Sequence, residues 1–246
     1  MNDISYTPDN IKVSIIISVY NSHDVALRQI KHFKKLNLPD DWEIIFMDDG
    51  SEPPLYFPDH GLKNFNVYPT GIKIPWSQPY AKNMAAQIAK GEYLLITDID
   101  HFFPEETIEY IKTFTGDKLM FRRRFAVLTE DGDITQEKEE LFKYGMTKER
   151  YAKRGVKNNY HTNSFLLKRR IFIELGGFGK KYWFDGVHSL EDSKFFTAYR
   201  KRSSRGIYKE AEISHEIFTY PGAGEGQDPN NLFHKLKRFE QSENKQ

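Results

Sequence analysis

The sequence predicts an α/β fold: a mostly parallel sheet with helices on both faces, and a looser C-terminal half. Three observations carry this. Short apolar runs without a helical period alternate with amphipathic stretches, the runs end abruptly in acidic residues, and the alternation fades after about residue 116.

Each element follows in order. Val13-Ser14-Ile15-Ile16-Ile17-Ser18-Val19 is β-branched and reads as a central parallel strand. Asp24 to Leu36 places Ala26, Leu27, Ile30, Phe33 and Leu36 on one helical face. Glu43-Ile44-Ile45-Phe46-Met47 is a second strand, stopped by Asp48-Asp49-Gly50-Ser51 and two prolines, and a shorter one follows at Phe65–Tyr68. Ser77 reads as the cap of a helix with Pro79 in its first turn and Gly91 just past its end. Residues 92–97 complete a β-α-β-β-α-β series.

Further along, Lys118–Phe121 and Phe125–Thr129 read as strands, with Asp131-Gly132 a hairpin turn. Gln136 to Arg154 reads as helix plus loop and Ser164–Leu167 as a strand. Ile171–Leu175 is a short helix stopped by Gly176-Gly177. Leu190–Arg202 reads as a helix, Ile207–Ile213 as a strand, and Asn231–Phe239 as a basic amphipathic helix that either covers the core or touches an anionic membrane.

The length suits one domain, spanning 1–246. Hydrophobic residues are 39% and charged residues 29%, in the range of globular enzymes. Basic and acidic residues balance, 36 against 35, so there is no overall basic field for nucleic acid. The absence of Cys excludes disulfides, thiolate metal sites and Cys nucleophiles. Residues 1–10 are polar and no apolar run approaches the ~18 residues of a membrane span. A cytoplasmic chain, with peripheral membrane contact through 231–239 as the one exception, is the expectation.

The most informative segment is Gly91-Glu92-Tyr93-Leu94-Leu95-Ile96-Thr97-Asp98-Ile99-Asp100-His101. Carboxylates cannot continue a buried strand without partners, so this strand emerges into a polar site. In open α/β sheets, ligands bind beyond the carboxyl ends of the strands. Asp98 and Asp100 there offer hard oxygen ligands for Mg²⁺ or Mn²⁺. Asp131-Gly132-Asp133 repeats the spacing, but in a turn, where it carries no chemistry.

Several segments share an order and separation: 13–21, Asp48-Asp49-Gly50-Ser51, Ala81-Lys82-Asn83, Gly91-Glu92-Tyr93, Asp98-Ile99-Asp100, Gly176-Gly177-Phe178 and Glu191-Asp192. From about residue 11 to 200 this set resembles the family 2 glycosyltransferases. The resemblance implies the GT-A fold, with a Rossmann-like, nucleotide-sugar-binding half at about 11–115 and an acceptor-binding half at about 116–246. It implies a hexosyl- or N-acetylhexosaminyl-transferase using a nucleotide-activated sugar, uridine diphosphate favoured, with a glycan or other hydroxyl acceptor, as in polysaccharide biosynthesis. By position, Tyr20 stacks on the base, Asp49 accepts from it, and Ser18 and Asp48 flank it. Asp98 reaches the ribose, Asp100 binds the metal with Asp98 beside it, and Asp192 is the general base with Glu191 adjacent. Lys82 stands where relatives commonly carry Arg, which leaves a point charge in place of a bidentate phosphate contact. The stretch Gly186-Val187-His188-Ser189-Leu190 departs from the Trp/Gly-rich version of some relatives.

The resemblance implies a histidine in the metal shell, with His215 ahead of His101 as the candidate; His161 and His188 read as acceptor-side residues. Plainer readings stand beside these. The Asp48-Asp49 turn is also an Asx motif, and Glu191-Asp192 suit a helix N-terminus electrostatically. Arg122-Arg123-Arg124 read as a phosphate or anionic-acceptor grip or as a charged sheet edge. Phe178, Tyr182, Trp183 and Phe184 read as a sugar-stacking platform or as core. Two other functions fit similar sheets: a sugar nucleotidyltransferase, disfavoured by the glycine-free loop Tyr20-Asn21-Ser22-His23, and a non-catalytic nucleotide- or sugar-binding module.

Overall fold

The computed structural model describes residues 10–72, 77–157, 162–183 and 191–223. The expected helix at 231–239, His161, Phe184 and the 186–190 stretch with His188 lie outside them. The first half runs β1 (Val13–Val19), α1 (His23–Lys35), β2 (Trp42–Asp48), β3 (Phe65–Pro69), α2 (Gln78–Ile88), β4 (Tyr93–Asp98), β5 (His101–Phe102) and α3 (Glu105–Thr113). Then come β6 (Lys118–Phe125), β7 (Val127–Leu128), β8 (Ile134–Thr135), α4 (Lys138–Lys143), α5 (Lys148–Arg154), β9 (Phe165–Lys168), α6 (Arg169–Glu174), α7 (Glu191–Ser203) and β10 (Glu212–Thr219).

Eight strands form one mixed sheet in the order β3-β2-β1-β4-β9-β6-β10-β5. β1, β2, β3 and β4 are parallel, while β9 lies antiparallel between β4 and β6. β1 is buried along its whole length because helices cover both faces. Val13, Ile15, Ile17 and Val19 pack in the core that holds α1 and α3; Ile16 packs with Ala81, Ala85 and Ala86 of α2 and Phe195 of α7. Burial on both sides explains why these strands read as unbroken apolar runs.

Four elements differ from the sequence reading. Leu27 is 44% exposed, and the buried face of α1 carries Arg28, Gln29 and His32 instead. Arg28 donates to the Leu128 carbonyl, and the His32 ring nitrogens lie 3.0 and 2.8 Å from the Gly132 and Phe103 carbonyl oxygens. Ala26, Ile30, Phe33 and Leu36 are buried as the apolar stripe predicts; the polar anchors beside them carry no apolar signal. α3 was not anticipated, although Glu105 and Glu106 open it and Ile108 and Ile111 bury one face. The last strand starts at Glu212, with Ile207 left 60% exposed in the preceding turn. Arg122-Arg123-Arg124 lie on an interior strand of the sheet order, on the stretch beyond its pairing with β9, which ends at Met120; β10 pairs along all three, and Arg124 is bridged to Lys157 on the other side.

The hairpin at Asp131-Gly132 forms as expected: β7 and β8 pair antiparallel, and Gly132 has φ 83°. A Cβ there would lie 2.6 Å from the His32 amide nitrogen, so the tip fits α1 only as glycine.

Candidate active site

The first structure shared by these residues is the loop beyond β1 and β2. Asp48 ends β2, and its two carboxylate oxygens accept from the Ser51 and Leu55 amides at 2.8 and 2.9 Å. Asp48 therefore shapes the turn, with no oxygen left uncommitted. Asn21 is tied to the same loop, its amide donating to Ser51 Oγ at 3.0 Å. Tyr20 is half-buried on that rim, and Ser18 is buried with its hydroxyl unpartnered among the described residues.

Asp49 is 2% exposed and accepts a hydrogen bond from the Ser77 hydroxyl. Ser77 does precede α2, but its side chain makes no capping bond. Burial pushes the Asp49 carboxyl up to about 7, against the Ser77 bond and with help from the Asp48 charge.

Asp98, at the end of β4, is gripped from three sides. Lys82 Nζ donates to Oδ1 at 2.7 Å, Gln78 donates to the same oxygen at 3.2 Å, and Asn163 donates to Oδ2. Lys82 is 1% exposed. Burial works against its charge, yet Asp98, Asp192 and Glu191 hold the ammonium above the usual lysine value. Its partner is thus a carboxylate of the chain, which positions Asp98.

Asp98, Asp100 and His101 bring ligand atoms within 4.8 Å of one another. Two carboxylates and an imidazole suit Mn²⁺ or Mg²⁺, so the donor set fits such an ion. The loop carrying them is anchored from behind: Gln29 donates to the Ile99 and His101 carbonyls at 3.1 and 2.6 Å. Ser164 bridges Thr97 at 2.8 Å and His101 Nδ1 at 2.5 Å, and the Thr219 hydroxyl reaches Asp100 at 3.3 Å.

His215 is not brought to this cluster. It lies four residues from Thr219 on β10, at φ 56° in a register shift, and its ring stacks on Tyr110 at 3.9 Å. The bulge turns it toward α3, and His101 takes the imidazole position instead.

Asp192 sits in the first turn of α7 beside Glu191. Its Oδ1 is shut off from solvent without a hydrogen-bond partner among the described residues. Burial raises its carboxyl to about 7; Lys82 and Lys118 oppose the rise, while Asp98 and Glu191 add to it. A carboxyl poised near neutrality can accept a proton and give it up again.

The motifs at 81–83 and 176–178 meet. Asn83 donates to the Phe178 carbonyl at 2.8 Å and accepts from its amide at 2.9 Å. Gly177 adopts φ 61° against the Asn83 side chain, which excludes a Cβ. Phe178 is core, edge-on to Phe172 and tilted against Phe195, while Trp183 packs edge-on to Tyr80 at 5.1 Å. Of the three arginines, Arg124 pairs with Glu216 at 2.6 Å; Arg123 is half-buried, with burial pressing its pKa down and Asp100 and Asp98 supporting its charge.

A model of glycosyl transferase family 2 matches residues 14–176, more than half of the chain. The chain belongs to glycosyl transferase family 2. Its curved mixed sheet is the GT-A fold. The chain is 34% identical over 102 residues to the poly(ribitol-phosphate) beta-glucosyltransferase of Bacillus spizizenii, a match covering 40% of the chain and 16% of that enzyme. Among solved structures it is similar to S. aureus TarS 1-349 in complex with UDP-GlcNAc (TM-score 0.55, 15% identity, 85% of this chain and 58% of that one). It is also similar to the mannosyltransferase PcManGT from Pyrobaculum calidifontis in complex with GDP-Man and Mn²⁺ (TM-score 0.55, 17% identity, 88% and 59%). The chain therefore spans a sixth of the curated relative and under two thirds of these structures. No helix among the described residues is long and apolar enough to cross a membrane.

Sequence reasoning missed Gln78, Asn163 and Ser164, which hold Asp98 and His101. Neutral side chains give no signal in a single sequence; the topology that sets β9 beside β4 brings in Asn163 and Ser164, and Gln78 lies one turn before Lys82 on α2.

Proposed function

We propose that this chain is a metal-dependent, inverting glycosyltransferase moving a sugar from a nucleoside diphosphate donor, UDP-sugar first, to a hydroxyl of a glycan or similar polyol. The observation that carries the reading is Asp192: a half-buried carboxyl at the head of α7, one oxygen shut off from solvent, raised to about 7 by that desolvation and electrostatically linked to Lys82 and Asp98. Residues 11–115 would bind the donor and the later half the acceptor. The chain would work in the cytoplasm, with segment 231–239 able to meet an anionic membrane.

Asp49, closed beneath the base pocket, would accept from the base, and Tyr20 would stack on it. Asp98, locked by Lys82 and Asn163, would face the ribose. Asp100 and His101, with Asp98, would hold Mn²⁺ or Mg²⁺, which as a Lewis acid offsets charge on the departing diphosphate. Asp192 would take the acceptor hydroxyl proton as that oxygen bonds to the anomeric carbon and the carbon–phosphate-oxygen bond breaks. One in-line displacement inverts the anomeric centre. Family membership and the ionisable Asp192 favour this reading over a binding module, which has no use for a base.

Nucleoside diphosphate release from UDP-glucose, UDP-GlcNAc and GDP-mannose, with Mn²⁺ and with chelator, tests it together with the anomeric configuration of the product by NMR. Turnover that stops in chelator and inverts configuration is expected. Retention, or undiminished turnover in chelator, overturns the mechanism.

A further inference from the structure

Two atoms of opposite charge bear on one face of α7, each shut off from solvent and without a hydrogen-bond partner among the described residues: Oδ1 of the half-buried Asp192 and Nζ of the buried Lys118. Lys118, the first residue of β6, is 1% exposed. Its ammonium lies 4.1 Å from the centre of the Phe165 ring, 4.8 Å from Phe196, 5.2 Å from Tyr199 and 5.4 Å from Phe195. Asp192, Phe195, Phe196 and Tyr199 recur at i, i+3, i+4 and i+7, one face of α7. The cation therefore lies in the layer between sheet and helix that Asp192 closes at its upper end.

A lysine in such a place forfeits hydration that no hydrogen bond replaces. Ring faces return part of the loss. A methionine would fill the same space at no electrostatic cost, so packing alone gives no reason for a cation. The charge that bears on it is that of Asp192.

We propose that Lys118 is a positioning residue for sugar transfer: a cation caged by four aromatic rings behind α7 that holds the Asp192 carboxylate in its proton-accepting form. The proposal rests on the reading of Asp192 as the base. Four charged groups act on Asp192: Lys82 from α2, Asp98 from β4, Glu191 from its own helix and Lys118 from β6. Lys82 exerts the larger pull on Asp192 but is committed to Asp98 by a direct ion pair, whereas among the described residues no other carboxylate bears on Lys118. Lys209, Glu210 and Glu212 line the surface hollow that Lys118 also borders. Burial works against the Lys118 charge, and the Asp192 carboxylate supports it.

The test is the Asp192 titration followed by ¹³C-carboxyl NMR in the full chain, the signal being the one lost in Asp192→Asn. In Lys118→Met its midpoint should rise by about one pH unit. The acid limb of kcat should move with it, while KM for the UDP-sugar stays put. Lys118→Arg should return both toward wild type. An unmoved midpoint in folded Lys118→Met overturns the proposal; should that variant not fold, an identical midpoint in Lys118→Arg and Lys118→Gln overturns it equally. An Asp192→Asn protein with full turnover overturns the base reading instead, whatever the midpoint does.

Discussion

The Lys82 ammonium lies 2.7 Å from Asp98 Oδ1, with side-chain exposures of 2% and 13%, so a buried ion pair joins α2 to the end of β4. Removing one member of such a pair strands the other charge. Lys82→Met should destabilise the fold by about 3–5 kcal/mol in denaturant titration. Asp98→Asn should cost a comparable amount, and the double variant less than the sum of the two. Additive losses would mean that the pair does not couple the two elements.

Asp49 titrates far above an ordinary Asp because it is buried. A carboxyl whose folded pKa is raised favours the protonated fold, so its stability contribution is present below the unfolded value and is lost as pH rises toward about 7. Asp49→Asn keeps an oxygen for the Ser77 hydroxyl and removes that ionisation. Its Tm should match wild type near pH 4 and exceed it at pH 8. Asp49→Ala should weaken UDP binding in calorimetry far more than it lowers kcat, because base contacts are alike in ground and transition states. Equal UDP, GDP and TDP affinities in the wild type would show that Asp49 does not read the base.

The ligand cluster separates two histidines. Asp100→Ala, at a half-exposed position, should leave Tm nearly unchanged and abolish Mn²⁺-stimulated turnover. His101→Gln should weaken Mn²⁺ binding, whereas His215→Gln, whose ring rests on Tyr110, should not. Isothermal titration with Mn²⁺ reads both. Loss of metal affinity in His215→Gln alone would reverse the assignment.

The parts legible in the sequence are those where one physical cause acts locally. β1, β2 and β4 are buried on both faces because helices cover both, and each runs out at polar residues that need hydrogen-bond partners: Tyr20, Asp48-Asp49 and Asp98. The hairpin at Gly132 follows from turn chemistry. β10 was misplaced because Ser214, His215 and Glu216 carry no alternation, the bulge at His215 having broken it. The first-half acids and Asp192 stood out through an ordered set of motifs. Their environment did not: Lys118, Asn163 and Ser164 reach the site from β6 and the start of β9, and only the sheet order brings them there. The family pattern also pointed to a later histidine, whereas His101, adjacent to Asp100, completes the cluster.

Asp192 decides the account. Asp192→Asn preserves size but cannot accept a proton. Wild-type kcat should rise with pH through about 7 as the carboxyl ionises. Asp192→Asn should lose a factor of roughly 10² or more in kcat, flatten that rise, and bind the donor as before. Because the raised carboxyl costs stability above its unfolded pKa, the variant should melt no lower than wild type at pH 8. A pH–rate profile of both proteins in saturating UDP-sugar and Mn²⁺ is the direct measurement. A hundredfold loss with intact donor affinity is the predicted result; an Asp192→Asn enzyme that keeps most of its turnover and the same pH profile would contradict the assignment of the base and pass the question to Glu191.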